Sequence, residues 1–163
     1  MAAGVVLPFW LGRPPMEALE MATAAEELGY SELWMGEYLH FDALALAGAV
    51  ATLTRRITIT VGPLAIGLRD PVLLAMGVAS IGVLGGRDAR LTLGASTPAV
   101  VAKWHGREWG SEAARMEEAV TLIRQVLHGE RTQHHGASFH SEGFRSALAP
   151  QPAHISVAGL ASR

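Results

Sequence analysis

Short apolar runs begin at residues 4, 31, 57 and 90 of this 163-residue chain, at intervals of 27, 26 and 33 residues. Each gap holds a stretch of helix-forming residues closed by glycine or a charged turn. A connection of that length between strands is long enough for a crossover helix, which makes neighbouring strands parallel and the crossovers right-handed. A (β/α)8 barrel of about 250 residues spends about 31 on each βα unit. A doubly wound open sheet has the same cadence, so spacing alone leaves both folds standing. The next apolar run starts at 154, 64 residues after the fourth. That is two units, room for a longer loop at 96–110 and a hairpin.

Local signals place the elements. Gly4 to Pro8 is a short strand closed by proline, and Met16 to Leu28 is a helix with Leu19, Ala22, Ala25 and Leu28 on one face. Gly29 stands where a left-handed cap belongs. Ser31 to Gly36 is the second strand, and Asp42 caps a helix reaching Leu53. Ile57 to Gly62 alternates β-branched residues as a third strand does. Asp70-Pro71 is an N-cap with proline in the first turn, opening a helix from Val72 to Leu84 that Gly85-Gly86 ends. Arg90 to Ala95 is the fourth strand, and Ser111 is placed to cap a long helix ending at His128. A polar hairpin is predicted within 131–148 and a fifth strand at His154 to Ala158. On the long helix, Arg115 and Glu118 are spaced for an i,i+3 ion pair.

Composition narrows the function classes. Without cysteine the chain has no disulfide framework, zinc finger or thiol nucleophile. A net charge of −2 and no long basic run argue against nucleic-acid binding, which depends on neutralising phosphates. Half the residues are hydrophobic, yet the long apolar stretch Pro71 to Gly86 falls short of the roughly 20 residues that span a bilayer. The N-terminus lacks a basic region followed by a cleavage site. These features predict a cytoplasmic globular protein without a membrane partner. Seven histidines raise a metal reading, above all His134, His135 and His140. Adjacent strand residues point to opposite faces, and His135 and His140 do so too unless the chain turns at Gly136. The expectation is no metal. No dinucleotide fingerprint, phosphate loop or nucleophile elbow is present.

Several runs together carry a resemblance. They are LPFWLGRPPMEALEMATAAEELGYSELWMGE (7–37), RRITITVGPLAIGLRDPVLLAMGVASI (55–81), GGR (85–87), LTLGASTPAVV (91–101), WHGREW (104–109) and HSEGFR (140–145). In this order they resemble the luciferase-like monooxygenase superfamily, in its actinobacterial branch of F420-dependent oxidoreductases. The resemblance implies an α/β fold of the TIM-barrel family. Here that is one domain over residues 1–163, a partial barrel with about five parallel strands and a hairpin insertion, incomplete at its C-terminal side. It also implies coenzyme F420, or alternatively FMN, at the C-terminal ends of the strands, and a small organic substrate.

On that basis the strand ends supply the cofactor-binding candidates Pro8, Trp10, Gly62, Pro63, Leu64, Ser96, Thr97 and Gly159. Relatives carry a bulge and a non-proline cis peptide where Gly62-Pro63 stands. A trans Gly-Pro turn is the expected geometry here, cis lying about 0.5–1 kcal/mol higher. Ser96 and Thr97 either donate to a ring carbonyl or phosphate or cap their own loop. The catalytic candidates are Glu37 and His40. Glu37 holds the family's acidic position after the second strand, but Tyr38 replaces the histidine that usually follows. A carboxylate beside a histidine relays a proton; the alternative is a solvated loop carboxylate and a surface histidine. The glutamate that follows the fourth strand in sugar-phosphate and alcohol-oxidising relatives is missing from Leu93 to Ala99. Arg69-Asp70-Pro71 and Gly85-Gly86-Arg87 have structural explanations and are not site candidates. Unpaired sheet edges imply self-association, and a truncated, non-catalytic barrel fragment remains a third reading.

Overall fold

The computed structural model describes residues 3–7, 12–37 and 39–159. In chain order the elements are β1 (Gly4–Val6), α1 (Glu17–Glu27), β2 (Glu32–Met35), α2 (Ala43–Leu53), β3 (Thr58–Ala65), α3 (Pro71–Gly85), β4 (Ala89–Gly94), a π-helical segment (Ala99–Trp104), α4 (Glu112–Leu127), β5 (Gln133–His135), β6 (His140–Glu142) and β7 (Ile155–Ala158). Five strands form one parallel sheet in the order β1-β2-β3-β4-β7, and β5 pairs antiparallel with β6. This order settles what the spacing left open. A doubly wound sheet reverses its strand order at a switch point. Here every strand lies beside its predecessor in the sheet, as in a barrel wall wound in one direction. The barrel is not closed, because β1 and β7 each have one neighbour.

Right-handed crossovers between sequential strands put all the helices on one face. That face buries Leu33 and Met35 of β2, Ile59, Val61 and Leu64 of β3, and Leu91 and Leu93 of β4, none more than 1% exposed. Against them pack Ala22 and Ala25 of α1, Ala47 and Val50 of α2, Leu74 and Val78 of α3, and Ala119 and Ile123 of α4. Small residues on the helices bring the layers close. The other face is the inner wall of the incomplete barrel. By alternation it carries Val6, Glu32, Trp34, Thr60, Arg90, Thr92 and Ser156. Towards the N-terminal ends of the strands, Glu32 Oε1 accepts hydrogen bonds from Thr60 Oγ1 and Arg90.

Most predicted caps are in place. Asp42 accepts from the Ala45 N–H and Asp70 from the Leu73 N–H, and Gly29 and Gly86 take left-handed conformations after α1 and α3. Ser111 differs from expectation: it is itself left-handed and makes no side-chain cap, while Glu112 accepts from the Gly110 N–H. The Arg115–Glu118 pair does not form. Arg115 bonds Glu112 at 3.2 Å, because Glu118 is occupied by the turn between β5 and β6. The π-helical segment was not anticipated; Thr97 opens it by accepting from the Val100 and Val101 N–H groups.

Two clasps hold loops by a single charged side chain each. Glu26 of α1 accepts from the N–H groups of Arg55, Arg56 and Ile57 ahead of β3. Burial raises its pKa, but those donors outweigh it and the net shift is downward. Arg87 donates to the carbonyls of Ile57, Thr54 and Gly85 and to Thr54 Oγ1, so GGR fastens the end of α3 to the start of β3.

Candidate active site

Parallel strands deliver all their C-terminal ends to one edge of the sheet, which places the loops after β2, β3, β4 and β7 side by side. In β3 the register against β4 slips between Val61 and Leu64. The two residues in the bulge are Gly62 and Pro63. Their peptide bond is cis, not the trans turn expected, and Gly62 has φ +132°. A Cβ on Gly62 would overlap the Thr92 carbonyl and lie 2.9 Å from Thr92 Cβ, so glycine is what lets the bulge press onto β4. Gly62 is thereby buried and Pro63 exposed on the inner face. Leu64 turns its side chain wholly into the core, leaving its backbone for any contact at the edge.

Beside Pro63 the inner face becomes nearly featureless. Ala65, Gly94 and Ala158 are lateral neighbours on β3, β4 and β7. A Cβ on Gly94 would meet the Pro63 ring at 3.3 Å, and one on Gly159 would meet nothing within 4 Å. Beneath lies Thr92, 4% exposed, whose hydroxyl has no hydrogen-bond partner among the described residues. A buried hydroxyl without a partner is uncommon and marks a place where a polar atom is wanted. Ser96, left-handed at φ 68°, stands at the rim with no side-chain bond among the described residues, whereas Thr97 is used in capping.

Glu37 follows β2, and its carboxylate is taken by Arg69 from the loop after β3, with Nε donating to Oε2 at 3.0 Å and Nη2 to Oε1. Arg69 Nη2 also donates to Asp42. The bond to Glu37 drives the Arg69 pKa up against burial, with Asp42 adding to it. Burial pushes Asp42 up, but the Arg69 and Ala45 donors leave it below the usual carboxylate range. His40 is exposed and makes no bond to Glu37. The structure therefore brings Glu37 to Arg69 instead of to the histidine. Pro8 and Trp10 lie outside the described residues. Arg69, Thr92 and Gly94 join the candidates that the sequence names. The sequence signals for two of them are a threonine at an inward position of β4 and an arginine directly ahead of the Asp70 cap.

A cavity of about 340 Å³ adjoins this edge on its outer side. Arg69 and Asp70 of the β3–α3 loop line it with Arg107, Arg115 and the hairpin residues Ser138 and Phe139. None of the inner-face residues contributes to it.

The family model for luciferase-like monooxygenases matches residues 1–162, and the chain belongs to that family. A Mycobacterium tuberculosis protein described as a coenzyme F420-dependent oxidoreductase is 29% identical over 126 residues, covering 77% of this chain and 36% of that protein. An F420-dependent secondary alcohol dehydrogenase, solved with an F420–acetone adduct, superposes with a TM-score of 0.82 at 22% identity, over 96% of this chain and 51% of the other. The oxygenating constituent of 3,6-diketocamphane monooxygenase from Pseudomonas putida, solved with FMN, gives 0.80 at 17% identity, over 96% and 51%. At such identities the two structures show a shared fold. The chain spans 36–48% of the length of the curated relatives it matches.

Proposed function

We propose that this chain forms the ring-binding wall of an F420-dependent oxidoreductase acting on a small organic substrate. The observation that carries the reading is the flat patch of Pro63, Gly94, Ala158 and Gly159 above the unpartnered Thr92 hydroxyl. A planar cofactor needs close approach over a wide area, apolar walls and few polar contacts, and the patch offers each of these. When bound, the deazaflavin supplies a hydride-transfer centre. Pro63 and Gly94 form the wall, Gly159 leaves its edge open, and the hydroxyl of Ser96 at the rim meets a polar ring atom. Arg69 positions Glu37 at the rim by donating to both of its carboxylate oxygens. The exposed imidazole of His40 exchanges a proton with substrate or water.

The FMN-bound neighbour supports FMN with oxygen as a second reading. Titrating tag-free protein with F420 and with FMN, followed by cofactor fluorescence, tests both. Saturable F420 binding that Gly159→Leu abolishes, with an unchanged thermal melt, supports the first. Preference for FMN with oxygen uptake supports the second. Binding of neither, together with a stable oligomer, leaves a non-catalytic barrel fragment.

A further inference from the structure

The tip of the β5–β6 hairpin borders the outer cavity beside the β3–α3 loop, while the strands behind it play no part in the proposed oxidoreductase chemistry. Its register pairs Gln133 with Glu142, His134 with Ser141, and His135 with His140. The chain does turn at Gly136, whose N–H donates to the Phe139 carbonyl at 2.9 Å. Directly opposed residues of an antiparallel pair share a face, as do residues two apart on one strand. His135, His140 and Glu142 therefore stand together on one side. His134 stands on the other, where its imidazole meets Glu118.

The three side chains converge. His135 Nδ1 and His140 Nδ1 are 3.1 Å apart, with ring centroids 4.6 Å apart and the planes inclined by 61°. One ligand atom from each of His135, His140 and Glu142 lies within 4.8 Å of the others. Two nitrogens bound tetrahedrally to one zinc ion at about 2.0–2.1 Å sit roughly 3.3 Å apart, which is close to the separation already present. All three side chains are exposed, so an ion reaches them without opening the fold.

Both ends of the hairpin are anchored, which keeps the cost of ordering the ligands small. At the tip, Glu118 accepts from the N–H groups of Ala137, Ser138 and Phe139. At the base, the buried Thr132 accepts through Oγ1 from Ser141 Oγ and from the Phe144 N–H. The ligand face is thus held by interactions that do not involve the ligands themselves.

We propose that His135, His140 and Glu142 bind a divalent first-row transition ion, with water in the remaining position. Two imidazoles and one carboxylate suit Zn2+, Co2+, Ni2+ or Cu2+; Mg2+ and Ca2+ prefer sets made of oxygen. The bound ion bridges the two strands next to the tip that carries Ser138 and Phe139, so it stiffens one wall of the 340 Å³ cavity.

The test is a calorimetric titration of tag-free, chelator-stripped protein with zinc chloride, repeated with magnesium chloride. The expected result is one zinc equivalent per chain at submillimolar affinity, little response to magnesium, and a higher melting temperature with zinc. His135→Asn and His140→Asn should each weaken binding about tenfold or more, Glu142→Gln less, and His128→Gln not at all. Should an asparagine variant melt early, imidazole NMR signals of the unaltered chain decide the matter: zinc must shift those of His135 and His140 and leave those of His128 and His154 in place. Absence of zinc binding, binding retained when both histidines are replaced, or equal response to magnesium overturns the proposal.

Discussion

Replacing Gly62 by alanine drives a methyl group into the Thr92 carbonyl at a backbone angle that side chains rarely adopt. We expect Gly62→Ala to lower stability by about 3 kcal/mol or more in urea melts, whereas Gly159→Ala, in open space, changes it by less than about 0.5 kcal/mol. A small effect at Gly62 would mean that the bulge is not pressed onto β4. Charged residues make a separate prediction through protons. Glu26, Asp42 and Glu118 all have carboxyl pKa values below the ordinary range when folded. For Glu118 the Phe139 N–H is the main cause. The unfolded chain then binds more protons in acid, so these groups contribute stability above the usual carboxylate range. That contribution drains away as pH falls through their depressed values. Urea midpoints should hold level from pH 7 to about pH 5 and decline from there towards pH 3, and Glu26→Gln should flatten part of the decline. A flat profile in the unaltered protein contradicts this.

At the scale of elements, single side chains fasten segments far apart in sequence. Arg87→Met removes four donated hydrogen bonds: one to Ile57 ahead of β3, two to Thr54 at the end of α2 and one to Gly85 of α3. Leaving the Thr54 and Ile57 carbonyls unpaired should cost about 2–3 kcal/mol by thermal or urea melts. Glu118→Gln should speed amide exchange at Ala137, Ser138 and Phe139 relative to the β3 amides; equal protection in both proteins would show that the turn stands by itself. These two cases also mark what the sequence could reveal. Periodicity and capping signals located the main helices and strands because those depend on neighbours within a few residues. β3 runs on to Ala65, past the predicted end at Gly62, because pairing with β4 resumes after the bulge. Glu118 was assigned to Arg115 one turn away, since the competing donors lie 19 to 21 residues downstream. Glu37 was coupled to the nearby histidine for the same reason, and its actual partner, Arg69, is 32 residues on. His135 and His140 share a face only because the chain turns at Gly136, a feature that alternation along one strand does not contain.

Among the described residues the parallel sheet is a wall with two free borders. β1 and β7 each offer an unpaired row of backbone groups, and Val6 and Val157 are more than half exposed. Such borders recruit other strands. We expect light scattering to show dimers or larger species at micromolar concentration; a sharp monomer under those conditions argues against edge pairing. Among the described residues no helix is long and apolar enough to cross a membrane. The strand cadence was legible from the first residues onward, yet only the order of strands in the sheet separated a singly wound wall from a doubly wound one, because that order is set by distant pairings. The Glu32–Thr60–Arg90 network has a further implication. It concentrates ions and hydroxyls at one end of the concave surface and leaves the opposite end bare. If the proposed planar ring lies against this surface, stripping water from the charged end costs more than covering the glycines, so the gradient favours the end where the ring is proposed to sit.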